Sequence, residues 1–371
     1  MTSKRFRTNS INDLKYFLKN KKFEKIFLLT GKKSYFLSGA NKIFDNLIKK
    51  KNIKFFFKSS PYPEFKELKI LINEIKNFNP DLIIAVGGGS VMDYAKIANL
   101  QGIDEDFEKK IKNNSYKINK KISKILAVPT TAGSGAEVTT NAVIYIDRIK
   151  YSVEGNELKP DTHFLIPELI INNPKKLKSS AGFDAISQAI ESIISLKSSS
   201  QSLIYATDSL NLSLSNYLEF IKKPTLNNSK NMSMAAMLSG KAISISKTTA
   251  PHALSYPFTS LYNISHGHAV SLTLEKFLKF NFLNSQKSIS NFSLRDRYKK
   301  IFKLFNVKNI YELEKFLQKL KKEAGLVDDF KKLKINIKNE YHNIIDGVNL
   351  LRLKNNPIKL AKTDIKKILL D

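Results

Sequence analysis

Apolar runs of strand length alternate with amphipathic stretches through the first half of the chain. Residues 25–30 (KIFLLT), 53–57 (IKFFF), 82–86 (LIIAV), 125–128 (ILAV) and 143–146 (VIYI) are such runs. A run apolar at nearly every position reads as a strand buried on both faces, which is the signature of a parallel sheet. Between them, residues 38–50 and 64–77 repeat apolar positions at helical spacing, so the order is strand, helix, strand, as in an α/β domain. Past Asn172-Asn173-Pro174 the strand signal stops. Helical periodicity takes over in the segment around Asp184, in 202–220, in 232–247 and in the charged C-terminal segments;. The pattern predicts two domains: 1–173, an α/β domain with a parallel sheet, and 174–371, all helical. No internal repeat or low-complexity linker interrupts it;.

The third predicted strand runs into Gly87-Gly88-Gly89-Ser90, and the residues that follow, through Asp93 to Ala98, read as a helix that Ser90 caps;. A helix N-terminus offers unpaired N–H groups and a positive dipole end, and glycine lets a pyrophosphate lie against the backbone. The run lacks the G-x-G-x-x-G spacing of the usual dinucleotide fingerprint, so alone it is a tight turn and little more. A second loop of the same chemistry, Thr130-Thr131-Ala132-Gly133-Ser134-Gly135-Ala136-Glu137-Val138, also follows a strand. Two donor-rich loops at strand ends point to a nucleotide, because ligands collect at the carboxyl edge of an open α/β sheet. Gly87, Gly88, Gly89, Ser90, Asp93, Thr130, Thr131, Ser134 and Val138 are the candidate cofactor-binding residues.

Three of the five histidines, His252, His266 and His268, fall in one short stretch, downstream of a helical segment that carries Asp184 and Gln188 four residues apart. A lone histidine is more often a packing residue than a ligand. Here an i, i+4 pair projects from one helix face, and carboxylate oxygen with imidazole nitrogen is a usual donor set for zinc or iron(II). His252 follows Pro251 and His266 precedes Gly267, which permits close backbone approach;. His163 and His342 lack such a context and read as surface residues.

These segments together resemble the iron-containing (group III) alcohol dehydrogenase family: GGGSVMDYAK at 87–96, PTTAGSGAEVTTNAV at 129–143, FDAISQAIES at 183–192 and HALSYPFTSLYNISHGHAV at 252–270. The resemblance implies a dehydroquinate synthase-like fold, with a Rossmann-like domain for NAD or NADP and a helical domain for the metal. It implies metal ligands at Asp184, Gln188, His252 and His266. The family usually has histidine at position 188. Either the Gln188 amide is a weak fourth ligand, or three protein ligands suffice and substrate fills an open position. Many members have a histidine where Tyr256 stands. Tyrosine still donates a hydrogen bond but is a poor base at neutral pH, and His268 is the alternative proton relay. The implied reaction is hydride transfer to an aldehyde activated by Fe(II), Zn or Mn.

The 248–270 pattern with glutamine at 188 looks most like the phosphonoacetaldehyde reductase branch of that family, which makes a small anionic aldehyde the expected substrate. On a continuous helix over 232–253, Lys241 and Thr248 fall within about 40° of the His252 face, with Lys241 about 16 Å away along the axis. They are the candidate substrate contacts, although Lys241 and Lys247 read first as solvated lysines. Many NAD-using members carry an acid where this chain has Gly31. Its absence, with Lys32, Lys33 and Ser34 beside it, favours NADPH while leaving NADH possible;. Within the same superfamily, a polyol dehydrogenase and a dehydroquinate synthase-like lyase remain alternatives.

A formal charge of +29 raises nucleic acid as a partner;. The charge is nearly all lysine, spread along the whole chain, while arginine, the better reader of phosphates and bases, is scarce;. Nucleic-acid binding on an inactive scaffold is therefore the weaker reading. The chain has no cysteine, so it has neither disulfide nor thiolate ligand;. No run reaches signal-peptide or membrane-spanning length, and the expected setting is cytoplasmic, as a homodimer or larger homo-oligomer;.

Overall fold

The computed structural model describes residues 9–48, 51–118, 120–348 and 350–370. The chain forms two compact units, one from the N-terminus to Asn173 together with Pro224–Met237, the other Pro174–Lys223 with Leu238 to the C-terminus. The helical half is therefore not contiguous. Periodicity could not signal this, because Pro224–Met237 is itself mostly helical and groups with the first unit through tertiary packing.

The first unit carries strands β1 (Lys25–Gly31), β2 (Asn52–Lys58), β3 (Leu82–Gly87), β4 (Lys124–Pro129), β5 (Asn141–Ile146), β6 (Ile149–Glu154) and β7 (Thr162–His163). Five of them make a parallel sheet in the order β2-β1-β3-β4-β7. Leu28 pairs with Phe55 and Ile84, and Ile84 pairs with Leu126, so equivalent positions point to the same face;. One face packs Phe27, Leu29, Ile83, Ala85, Ile125 and Ala127 against Leu68, Leu71 and Tyr94. The other packs Ile26, Leu28, Ile84, Val86, Leu126 and Val128 against Leu14, Tyr35 and Phe44. Two covered faces explain why these strands are apolar at consecutive positions instead of alternating.

Several expected elements differ in the structure. Residues 143–146 do not join the parallel sheet; β5 pairs antiparallel with β6 in a separate two-stranded ribbon. That ribbon lays Ala142, Ile144, Ile146 and Val153 on the first face, and a buried hairpin gives the same apolar run as a sheet strand. The fifth sheet strand is β7, two residues long and too short for any periodicity to signal. The helix expected over 38–50 is two helices, Lys32–Leu37 and Ala40–Leu47, parted by Gly39 at φ 76°; positions 49 and 50 lie outside the described residues. Ser90 does not cap its helix. The helix runs Gly89–Ala98 with Gly88 at the cap position and no side-chain cap bond.

In the second unit, the helix Lys175–Ile194 is buried along most of its length. Around it lie Ser200–Lys222, the later part of Leu226–Ser246, Ala250–Tyr262, His266–Ser271 and the helices Leu274–Leu283 to Lys362–Leu370. The helix expected to continue from 232 to 253 breaks at Lys247, which adopts φ 60°, and a new helix starts at Ala250. No strand occurs in this unit among the described residues. No helix of the described residues is long and apolar enough to cross a membrane.

One buried ionic cluster ties the ribbon to the helix Gly89–Ala98. Lys96 is fully buried and donates to Thr139 Oγ1 at 2.8 Å and to the Asn141 carbonyl at 3.0 Å. Burial pulls its pKa down to about 8, against the opposing pull of Asp93 and Glu137. Burial likewise pushes Asp93 up to about 6, with Lys96 and Lys150 opposing. Removing one partner of a buried ionic group leaves the other uncompensated, so Lys96→Met is expected to cost about 3–5 kcal/mol of stability. Urea denaturation reads this directly, and Lys69→Met, at an exposed ion pair with Glu108, is the control that should stay within about 0.5 kcal/mol.

Candidate functional site

The helix Lys175–Ile194 presents Asp184, Gln188 and Glu191 at i, i+4 and i+7, all buried and on one face;. Helix Ala250–Tyr262 brings His252 against them. Its Nε2 lies 3.2 Å from Asp184 Oδ1, and its Nδ1 is hydrogen-bonded to Glu191 Oε2. Helix His266–Ser271 adds His266, whose Nε2 is 4.0 Å from the same Asp184 oxygen. Asp184, His252 and His266 each offer one donor atom, and those atoms all lie within 4.8 Å of one another.

The local sequence explains how three segments reach one point. A Cβ built on Gly267 would meet the Ser180 carbonyl oxygen at 1.9 Å and Asp184 Cβ at 2.8 Å, so only glycine lets the short helix press its backbone onto Lys175–Ile194. Glu191 fixes the entry to the His252 helix. Its Oε1 accepts from the Thr249 N–H and hydroxyl, both at 2.9 Å, while Oε2 takes His252 Nδ1–H. Ser255 Oγ donates to the His252 carbonyl at 2.8 Å and faces His266 Nδ1 at 3.3 Å. A hydroxyl already donating accepts from Nδ1–H, so Nδ1 of both rings is engaged away from Asp184 and Nε2 is the nitrogen that each imidazole turns toward it. Burial pushes the His252 pKa down, but Glu191 and Asp184 more than reverse this and hold it at about 9. The donor set suits a divalent ion, which would take the position of the proton between His252 and Asp184.

Gln188 does not turn a free oxygen to this point. Its NH2 donates to Asp184 Oδ2 at 3.1 Å and its carbonyl oxygen accepts from Ser239 Oγ at 3.0 Å. Tyr256 is buried with its ring 6.1 Å from that of His266. Burial raises its hydroxyl pKa, and a hydrogen bond with Arg352 works against the rise. His268 lies away from the role of a solvent relay: it is 8% exposed, its Nε2 is 2.7 Å from the Val327 carbonyl, and its backbone N–H goes to Ser180 Oγ. Lys241 lies over the ring of Tyr205 at 5.7 Å. Thr248 is buried with its carbonyl accepting from Asn355. The helical projection that aligned Lys241 and Thr248 with His252 fails at the break at Lys247.

In the first unit, the two glycine-rich loops touch each other at the carboxyl edge of the sheet. A Cβ on Gly88 would lie 3.3 Å from Thr131 Oγ1, and one on Gly89 would lie 2.8 Å from Ser134 Oγ. The Thr130 N–H donates to the Gly87 carbonyl at 2.9 Å, joining the strand exits. Ser90 sits in the first turn of its helix. Asp93 and Val138 are interior: Asp93 accepts from the Val143 N–H, and the Val138 N–H closes a turn on Gly135. Gly31 ends β1 and begins the helix that carries the exposed Lys32 and Lys33. Its register partner on β2 is Lys58.

Two family models match in tandem: the iron-containing alcohol dehydrogenase model over residues 2–167 and the C-terminal model of the Fe-containing alcohol dehydrogenase family over residues 178–371. The chain belongs to the iron-containing alcohol dehydrogenase family. It is 30% identical over 221 residues to phosphonoacetaldehyde reductase of Streptomyces viridochromogenes, a match covering 57% of this chain and 56% of that one. The chain thus spans little over half the length of that relative. Among solved structures, an alcohol dehydrogenase from Oenococcus oeni superposes with a TM-score of 0.85 at 23% identity, covering 97% of this chain and 95% of that one. Sulfoacetaldehyde reductase from Bifidobacterium kashiwanohense, solved with NAD+, gives 0.84 at 23% identity over 97% and 94%. At these identities the structural matches establish the fold of this family member.

Sequence reasoning passed over four residues that the structure places beside the candidate residues. Glu191 stands inside the quoted FDAISQAIES segment at i+7 from Asp184, and that spacing was signal enough to find it. Ser255, Lys58 and Arg352 depend on tertiary contacts or strand register and carry no local signal. The Gly267 crossing generates the sharpest structural expectation. Gly267→Ala should destabilise this dehydrogenase-family chain by about 3 kcal/mol or more, since the clash is with backbone that cannot swing away. A denaturation midpoint unchanged from wild type would contradict the crossing.

Proposed function

We propose that this chain is a metal-dependent, NAD(P)H-linked reductase of a small anionic aldehyde, converting phosphonoacetaldehyde to 2-hydroxyethylphosphonate. The observation that carries the reading is the cluster of Asp184, His252 and His266, with Nδ1 of each imidazole engaged by Glu191 or Ser255 and Nε2 turned toward Asp184. Asp184, His252 and His266 hold the ion in this reading, and Gln188 steadies Asp184 through its NH2 without ligating. Three protein ligands leave an open position for the aldehyde oxygen. An all N/O donor set suits Fe(II), Zn or Mn, and the family supports iron;. When bound, the ion polarises the carbonyl and the dinucleotide supplies the hydride. Glu191 orients His252 and Ser255 orients His266, so neither ring turns away when a substrate enters. Tyr256, protonated at neutral pH, serves as a hydrogen-bonding group beside His266 and not as a base.

The anionic substrate is supported by the relative that reduces phosphonoacetaldehyde and by the fold match to a reductase of sulfoacetaldehyde. NADPH over NADH is supported by Gly31, where no carboxylate stands to repel a 2′-phosphate. Lys32 and Lys33, exposed in the helix that begins at Gly31, support it further;. The contacts Gly88–Thr131 and Gly89–Ser134 support the glycine-rich loops as the pyrophosphate cradle;.

The test is NADPH oxidation by anaerobically prepared protein reconstituted with Fe(II), with phosphonoacetaldehyde, unsubstituted short aldehydes and a metal-stripped control. The expected result is loss of turnover on stripping, a preference for the phosphonate, and a kcat/KM about tenfold higher with NADPH than with NADH. Equal rates on unsubstituted aldehydes would reduce the reading to a general alcohol dehydrogenase, and turnover that survives stripping would overturn it. Independently of turnover, Glu191→Gln is expected to weaken metal affinity about 10–100-fold in a chelator-competition titration.

A further inference from the structure

We propose that Arg352, which neither the metal cluster nor the nucleotide loops use, binds the anionic end of the substrate. This inference rests on the reading of the cluster as an aldehyde-reducing centre and names the group that selects among aldehydes. Arg352 lies in the short helix Leu350–Leu353, which packs on the helix Ala250–Tyr262 that carries His252 and Tyr256. Its guanidinium hydrogen-bonds the Tyr256 hydroxyl, and the Tyr256 ring leans on His266 at 6.1 Å between centroids and 32° between planes. The cation therefore stands one phenol ring away from a residue of the cluster.

Its position is built and not incidental. Asn355, one turn further along the chain, donates from Nδ2 to the carbonyls of Ser246 and Thr248, both at 2.9 Å, and accepts from the Leu196 and Lys197 N–H groups. These bonds lock the segment bearing Arg352 onto the loop that leads into the His252 helix. Tyr256 and Asn355 are thus positioning residues for the guanidinium.

Composition supports a specific purpose. The chain has only six arginines among 62 basic residues, so arginine is the exception where lysine is the default. Two of the others have visible structural work: Arg295 stacks on Phe282 and Arg297 on Phe292, each at 4.5 Å. At Arg352 the planar fork of a guanidinium suits the paired oxygens of a phosphonate, sulfonate or carboxylate, which a lysine meets only as a point charge. The substrate class is a short aldehyde with such a group at the other end, its carbonyl at the cluster and its anion at Arg352.

The proposal is tested on metal-loaded protein as wild type, Arg352→Gln, Arg352→Lys and Tyr256→Phe. Steady-state KM is measured for phosphonoacetaldehyde and for neutral propanal, and calorimetry gives the Kd of ethylphosphonate, an unreactive probe. Arg352→Gln is expected to raise both the phosphonoacetaldehyde KM and the ethylphosphonate Kd by about tenfold to a hundredfold. The propanal KM should stay within about twofold. Arg352→Lys should recover part of the affinity, and Tyr256→Phe should give a smaller loss on the anions. Equal losses on propanal and phosphonoacetaldehyde would mean that Arg352 only supports Tyr256 and the fold, and would overturn the proposal. So would ethylphosphonate binding that ignores the substitution. If wild-type protein binds ethylphosphonate through Arg352 but does not reduce phosphonoacetaldehyde, the substrate named above fails while the anion site stands.

Discussion

Two carboxylates buried on one face of one helix set the terms for the helical unit. Asp184 is 4% exposed and Glu191 is inaccessible to solvent, and an ionised carboxylate without partners in such a place costs far more than a fold can spare. The surrounding chain answers with donors. Glu191 collects Thr249 and His252, and Asp184 collects the Gln188 amide and His252. The break at Lys247, the restart of the helix at Ala250 and the bare backbone of Gly267 all follow from delivering those donors to one helix face. Even so, His252 is shared between two anions, and this sharing holds the imidazole at about 9 against its burial. Two carboxylates gathered around one imidazole make a site that favours added positive charge, which fits the divalent ion of the proposed reading.

Much of this was legible in the sequence. The apolar strand runs, the glycine-rich turns and the Asp184, His252, His266 set are local patterns or ordered motifs, and local patterns survive translation into structure. Their chemistry depends on residue type, which the sequence states outright. The failures share a cause. Residues 143–146 were read as a sheet strand because burial of a ribbon and burial of a sheet strand leave the same apolar trace. Lys241 and Thr248 were tied to His252 by assuming an unbroken helix, and one residue in the left-handed region at Lys247 rotates everything after it. His268, two residues from His266, is drawn off to the Val327 carbonyl, a contact 59 positions away that no spacing rule anticipates.

The departures from the family pattern at 188 and 256 are linked to residues remote in sequence. A glutamine at 188 serves only if something holds its carbonyl oxygen, and Ser239 does so, which frees the NH2 to face Asp184. A tyrosine at 256 brings a phenol into a buried place where it needs a polar partner, and Arg352 provides one;. Each of these residues thus has a polar contact from another helix. Gln188 with Ser239 leaves the cluster with two imidazoles and one carboxylate, and Tyr256 with Arg352 adds a cation to its rim. In the proposed reading, the first pair lowers the number of strong ligands, and the second raises the pull on an anionic substrate. A centre with fewer ligands holds its ion less tightly and leaves it more exposed to the incoming oxygen. Binding energy from a charged group remote from the carbonyl can then orient the aldehyde at that open position. In the proposed reading, the two positions at which the chain departs from the family pattern thus serve one end: an open ion and a cation for the far end of an anionic aldehyde.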